Sequence, residues 1–378
     1  MSYSLTTIWF ERNRFLPAIL AVAFSAVLIA VQGGLVIGLL AMMSLPIDKS
    51  RADVWVGYPG VRSVDLGRPL PDRWVTRVVE QPEVERAELA MIGFSLWTRV
   101  SSTQSPATPE VCTVVGSTLG PDSLAAVEGL RQQPDLMARL SEPFTVAVDE
   151  SELGRLNITG VGQDADILGK RVTVVGLVHG YKSLGGPYVF CSNENARVLL
   201  KYFPGEATYI VAKCGTPEDA KRMTLRMKGY SQLTAFTADD FSWRSRMHWL
   251  FTTKAGVTVG FTALLGLLVG AVVTSQTLYA ATAASLREYS TLRAMGIPRW
   301  RLQLSVLEQS FWVGLFGVMV AAPVTFVIAQ AANYMGTQVM LHPLVIGIAI
   351  LITMVMAIGS GLAALRSFQN VDPAHNLR

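Results

Sequence analysis

With 378 residues, 51% of them hydrophobic and only 16% charged, the chain is too apolar and too sparsely charged for an ordinary soluble enzyme. Its formal net charge of +4 is spread over short segments and a large middle region, which gives no case for nucleic-acid binding. The class expected is an integral membrane protein with about two or three domains.

Residues 1–47 read as a cytoplasmic N-terminus and a first membrane helix. Trp9, Phe10, Arg12 and Arg14 form an aromatic and basic collar. The run Phe15 to Ile47 carries no charge and exceeds the roughly 20 residues needed to cross a bilayer. A cleaved signal peptide is the alternative, but its apolar region spans only about 7–15 residues. Gly34 and Gly38 stand four apart, a spacing that lets a second helix approach. Gln32 is either part of that packing surface or a lining for cargo.

Residues 48–249 have the composition of a soluble domain. Strands are expected at Asp53 to Val56, Ala87 to Val100, Val111 to Gly116, Phe144 to Val148, Arg171 to Val178, Pro187 to Cys191 and Thr208 to Lys213. Helices are expected at Pro71 to Glu80, Asn193 to Tyr202 and Pro217 to Lys228, giving an α+β domain of two lobes. The stretches Ser101 to Pro109 and Gly160 to Gly169 read as loops. Cys112, Cys191 and Cys214 match no metal or redox spacing; buried free thiols and a single disulfide both remain open. Thr237 or Asp239 is placed to cap a helix whose aromatic and basic residues run to Trp249. His248, without a second ligand nearby in sequence, reads as an interfacial polar residue.

Residues 250–286 hold the second membrane helix, with Gly256, Gly260, Gly266 and Gly270 as a small-residue stripe for helix packing. The third and fourth spans fall at Ser310 to Ala332, interrupted at Pro323, and Leu344 to Leu365, within residues 310–378. Glu308 is expected at a helix N-terminus, where a carboxylate is favourable. Between the second and third spans, residues 287–309 form a short basic corner. Leu292 and Met295 share a helical face, Gly296 stops the helix, and Pro298 starts the next. Arg287, Arg293, Arg299 and Arg301 place this corner on the cytoplasmic side, whereas Asn333 to His342 lacks Lys and Arg, as an outer loop should. Four spans with both termini inside put the 48–249 domain outside.

The run Arg287-Glu288-Tyr289-Ser290-Thr291-Leu292-Arg293-Ala294-Met295-Gly296-Ile297-Pro298-Arg299-Trp300 resembles the cytoplasmic coupling segment of the FtsX/MacB-type (type VII) ABC transporter permeases. Val371-Asp372-Pro373-Ala374-His375-Asn376-Leu377-Arg378 is similar to that family's closing motif. Three further stretches resemble its DevC-like branch: Ala52-Asp53-Val54-Trp55-Val56, Val148-Asp149-Glu150-Ser151, and Gly180-Tyr181-Lys182-Ser183-Leu184-Gly185-Gly186-Pro187.

The resemblance implies a membrane protein with four transmembrane α-helices and an α+β extracytoplasmic domain inserted between helices 1 and 2. It implies that Arg287, Glu288, Leu292, Arg293, Met295, Gly296, Pro298, Arg299 and Arg301 meet a separate ABC ATPase. The family also implies a second copy of the chain and a periplasmic adaptor, in the inner membrane and in contact with membrane lipid.

No cofactor is expected on this chain, and ATP and Mg belong in the partner ATPase. Gly169-Lys170 is followed by Arg171, and Asp164 stands where a phosphate-binding loop needs glycine. No G-x-S-x-G or H-E-x-x-H motif occurs, so a non-catalytic subunit is expected. Two functions follow: ATP-driven export of a lipid, glycolipid or other amphipathic cargo, or FtsX-like mechanotransmission to a cell-wall hydrolase without transport.

Overall fold

The computed structural model describes residues 8, 10–100, 108–252, 254–284, 295, 298–334 and 339–369. The chain divides into two compact units, Leu40–Gly256 and Met1–Leu39 with Val257–Arg378.

The second of these is helical. Among the described residues, four stretches are long and apolar enough to cross a membrane: Arg12–Met42, Gly260–Thr277, Gln303–Tyr334 and Pro343–Leu362. They belong to helices α1 (Arg12–Met42), α10 (Lys254–Ala284), α11 (Arg299–Tyr334) and α12 (Pro343–Gln369). Pro323 lies inside α11 and does not interrupt it, contrary to the break expected there. Glu308 is more than two turns inside α11, so the favourable helix-terminus position expected for it does not exist.

Small residues set the approach of these helices. A Cβ on Gly317 of α11 would meet the Val22 side chain and the Ala23 backbone nitrogen of α1. Gly314 faces Met354 and Ala357 of α12, and Gly361 faces Ser310, so α11 and α12 run antiparallel along one another. Gly266 and Gly270 of α10 face Leu28 and Ser25 of α1. Hydroxyls add cross-helix bonds where lipid supplies none: Ser25 Oγ to the Gly270 carbonyl at 3.1 Å and to Thr274 Oγ1 at 3.0 Å, and Ser275 Oγ to Ser360 Oγ at 3.0 Å.

Leu40–Gly256 is α+β. In chain order it contains α2 (Leu45–Asp48), β1 (Val54–Gly57), β2 (Leu70–Pro71), α3 (Trp74–Val79), β3 (Val84–Arg99) and β4 (Glu110–Ser117). Then come α4 (Glu128–Arg131), α5 (Pro134–Leu140), β5 (Thr145–Asp149), α6 (Leu153–Leu156), β6 (Asp164–Ile167), β7 (Lys170–Val178), β8 (Tyr188–Ser192) and α7 (Asn193–Leu199). The last elements are β9 (Glu206–Ala207), β10 (Tyr209–Cys214), α8 (Pro217–Met227), β11 (Thr234–Thr237) and α9 (Ala238–Thr252).

The long strand β3 is shared by two lobes. Its first half completes an antiparallel sheet in the order β11-β1-β10-β3. Its second half pairs with β4, and its end pairs with β6, so β3-β4-β8-β5-β7-β6 closes into a ring. The ring encloses Met91, Trp97, Val114, Val146, Val148, Val174 and Val189, all fully buried. One face of the open sheet packs on α8 through Val54, Val56, Ile210, Met223 and Met227. The other face carries Trp55 and Tyr209, which pack with Phe241 of α9 at centroid distances of 5.5 to 6.0 Å. Leu45 and Ile47, which hydropathy assigns to the first span, are buried in this domain core.

Cys112, Cys191 and Cys214 are free and buried. Burial pushes the Cys112 thiol up to about 12 and that of Cys214 up to about 11, so neither is a ready nucleophile.

Candidate force-transmission site

A domain inserted between two membrane helices can receive movement only through the two places where the chain enters and leaves it. In this structure the two places meet in a partly exposed polar cluster around Asp48. On the exit side, α9 places Ser242, Ser245, Arg246 and Trp249 on one face, at the i, i+3, i+4, i+7 spacing of a helical stripe. On the entry side, the segment following α1 supplies Ser44 and Asp48.

Asp48 is the centre of the first cluster. Its Oδ1 accepts from Ser242 Oγ at 2.7 Å. Its Oδ2 accepts from Ser44 Oγ at 2.7 Å and from the Arg246 guanidinium at 2.6 Å. Arg246 Nε also donates to Ser44 Oγ at 2.8 Å, so the arginine spans both partners. The bonds to a charged acceptor are of the stronger kind, and the pair is only partly exposed.

A second cluster lies further along the same face. Trp249 Nε1 donates to Ser63 Oγ at 3.1 Å and to Asp65 Oδ1 at 3.2 Å, while Ser63 Oγ also donates to Asp65. The backbone amide of Val64 donates to Ser245 Oγ at 3.1 Å. Tyr209 OH donates to the Val64 carbonyl at 2.8 Å, linking the cluster to β10. Burial pushes the Asp65 carboxyl above the usual range, and the bonds from Ser63 and Trp249 oppose that rise. On the entry side Tyr188 OH of β8 donates to the Met42 carbonyl at the end of α1, at 3.0 Å. Burial raises this phenol well above its ordinary value, so it stays a donor.

Two stretches singled out in the sequence meet in the ring lobe. Asp149 Oδ2 accepts from the Tyr181 amide at 2.7 Å and Glu152 Oε1 from the Ser183 amide at 3.3 Å. Tyr181 OH accepts from the Gly129 amide at 2.7 Å. The Asp149–Ser151 and Gly180–Pro187 stretches thus lock a loop to the lobe. Gly186, at φ +148°, is required there, because a Cβ would strike the Val111 carbonyl.

Of the residues expected to meet an ATPase, Arg287, Glu288, Leu292, Arg293 and Gly296 lie outside the described residues. Met295 is 68% exposed, and Pro298 immediately precedes α11, its carbonyl accepting from the Arg301 amide at 3.1 Å. Arg299 is the first residue of α11, and Arg301 sets its guanidinium over the Trp300 ring at 5.3 Å. Trp300 and Leu304 are more than half exposed, so this end of α11 presents apolar as well as basic groups.

Of the packing glycines, Gly266 and Gly270 meet α1, and Gly34 meets Val339, Leu341 and the Met340 carbonyl. Gly38 is buried, whereas Gly260 faces open space; the surroundings of Gly256 lie outside the described side chains. Sequence alone makes Asp48 a domain start and Arg246 and Trp249 interfacial residues, and does not bring them together. The stripe Ser242, Ser245, Arg246, Trp249 was the available signal.

Among the described residues the fold is that of a chain with four membrane-length apolar helices and a large α+β domain inserted after the first. Residues 15–229 match the MacB-like periplasmic core domain and residues 260–373 the FtsX-like permease C-terminal domain. The chain belongs to the FtsX/MacB-like family of ABC permeases, whose members work with an ABC ATPase and are generally non-catalytic. It is accordingly a membrane protein with a MacB-like periplasmic domain.

The periplasmic region of MacB from Actinobacillus actinomycetemcomitans is 12% identical, with a TM-score of 0.33, covering 51% of this chain and 92% of that one. The extracellular domain of the noncanonic ABC-type transporter YknZ from Gram-positive bacteria is 8% identical, with a TM-score of 0.32, covering 49% and 99%. A domain of a permease protein from Porphyromonas gingivalis is 15% identical, with a TM-score of 0.29, covering 49% and 89%. These distant likenesses carry no part of the assignment, which rests on the two family matches. A search of curated proteins gives no significant match.

Proposed function

We propose that this chain is the membrane subunit of an ATP-driven export complex of the DevC-like kind. It transmits the motion of a separate ATPase, which binds ATP and Mg, to the periplasmic domain. There it moves a lipid, glycolipid or other amphipathic cargo. Both termini are cytoplasmic in this reading, two copies assemble with two ATPases, and a periplasmic adaptor stands above them.

The observation that carries the proposal is the clamp of Asp48, Ser44, Ser242 and Arg246, which ties the domain's entry and exit together. A sensor or binding domain needs no such bracing at both junctions; a lever does. The exposed Met295, Trp300 and Leu304 near the basic corner suit docking into a groove of an ATPase.

Replacing Arg293 and Met295 together by aspartate tests the input end. The expected result is loss of ATPase co-purification, or at least about a tenfold loss of affinity, with the chain still folded. Unchanged ATPase association and unchanged export would overturn the proposal.

A further inference from the structure

Helix α9 has two working faces. The clamp face carries Ser242, Ser245, Arg246 and Trp249; the opposite face carries Trp243, Arg244, Met247 and His248, and it lines an open groove of about 1150 Å³. The facing wall is α8 with its following turn, which contributes Lys221, Thr224, Leu225 and Lys228, again at i, i+3, i+4, i+7. The floor is Tyr230, Leu233 and Phe236, and Arg62 closes one side.

The lining is amphipathic in a definite way. Arg62, Lys221, Lys228 and Arg244 are exposed cations, and Asp240 is the only carboxylate among the lining residues. Asp240 is engaged by Thr237 Oγ1 at 2.8 Å. Among the described residues no carboxylate pairs with Arg62, Lys221 or Lys228 within salt-bridge distance. Arg244 is fixed from beneath: its Nε donates to the Val61 carbonyl at 2.9 Å and its guanidinium lies over the Phe236 ring at 5.2 Å. Its two terminal nitrogens carry four further N–H donors. Trp243 and Leu225 are each at least 60% exposed, an unusual cost for a tryptophan and a leucine beside four cations.

We infer that this groove is a binding site for the anionic headgroup of an outer-leaflet phospholipid. The cations would take the phosphate and its neighbouring anionic group, while Trp243, Leu225 and Phe236 would cover the glycerol and the upper part of the acyl chains. The chain runs from α9 directly into the apolar segment that begins at Gly260, so the abundant amphiphile at this point of the chain is membrane lipid. The groove, about 1150 Å³ and open to solvent, has room for a headgroup with part of its chains. The inference rests on the reading that the domain handles amphipathic molecules outside the bilayer, and it assigns that role to named residues.

The test uses the full chain in detergent micelles, without ATPase, and reads bound lipid by native mass spectrometry. Dihexanoylphosphatidylglycerol, dihexanoylphosphatidylcholine and inorganic phosphate are the probes. The expected result is preferential binding of the phosphatidylglycerol. The variant Arg62→Gln/Lys221→Gln/Lys228→Gln should weaken it about tenfold or more. Removing three cations elsewhere on the domain, with Arg139→Gln/Lys170→Gln/Lys201→Gln, should leave it unchanged. Trp243→Ser should weaken phosphatidylglycerol but not phosphate.

Equal binding by the groove variant and the wild type would overturn the site. Full competition by inorganic phosphate at the same concentration as the lipid would reduce it to a free-anion site and also overturn the inference. Because no ATPase is present, failure here leaves the coupling proposal standing, and failure of coupling leaves this measurement unaffected.

Discussion

The periplasmic domain and the membrane helices are held together by different means. In the domain, large side chains such as Trp55, Trp97 and Tyr209 are sealed in closed cores; Trp97 Nε1 donates to the Leu156 carbonyl and Tyr209 OH to the Val64 carbonyl, while Trp55 Nε1 is buried without a partner among the described residues. Along the membrane helices large apolar side chains such as Phe261, Leu264, Phe326 and Val327 point outward, and glycines and small residues let the helices close on a few larger side chains such as Phe15, Val22 and Val313. The difference follows from the solvent. In water, burial of large apolar surface stabilises a fold, whereas in lipid that gain vanishes and close backbone approach takes its place.

The contrast can be broken first in the helices. Gly317→Leu would force a side chain into Val22 and the Ala23 backbone, and it should cost about 3 kcal/mol, the upper end for overpacking. Gly260→Leu, with nothing within 4 Å, should be tolerated within about 0.5 kcal/mol in the isolated chain. Unfolding in graded sodium dodecyl sulfate compares the two; equal effects would show that the small-residue contacts do not hold the bundle.

A smaller effect sharpens the other side of the comparison. Asp48→Ala removes the acceptor shared by Ser44, Ser242 and Arg246 and should cost about 2 kcal/mol, the range for hydrogen bonds to a charged group. Thermal unfolding of the full chain checks it. Limited proteolysis should then show faster cutting near the junctions while the ring lobe stays protected; uniform protection would mean the cluster braces nothing.

Much of the domain is legible from short apolar, β-branched runs bounded by turn residues: β1, β5 and β8 are buried along their whole length, and β7 shows a clear alternation. The strands around Val54, Val111, Thr145, Lys170, Tyr188 and Tyr209 lie within a residue or two of expectation. The stretch Gly160 to Gly169 was read as loop, yet it contains β6, joined to β7 by a two-residue turn at Leu168 and Gly169 with φ of +50° and +85°. Turns of that kind favour Asn or Gly at both places; leucine in the left-handed region gives no warning in sequence. Pro71 was read as a helix start because proline suits a first turn, but it lies in the short strand β2 paired with β9, and α3 begins only at Trp74.

The clamp was hidden for a different reason. Asp48 and Arg246 are 198 positions apart, and a lone carboxylate next to an apolar run reads as a boundary. Only closure of the domain brings them together. The basic groove was half visible: the aromatic and basic character of α9 was plain, but its division into two opposed faces needed the i, i+3, i+4, i+7 count on each.

The account depends on the periplasmic domain and the basic corner lying on opposite sides of the membrane. The native cysteines are buried, so single introduced cysteines can report accessibility to a membrane-impermeant maleimide. Phe203→Cys, at a site 73% exposed in the domain, should be labelled in intact spheroplasts. Met295→Cys, at a site 68% exposed beside α11, should be labelled only after the membrane is opened. Labelling of Met295→Cys in intact spheroplasts, with Phe203→Cys protected until lysis, would contradict the account.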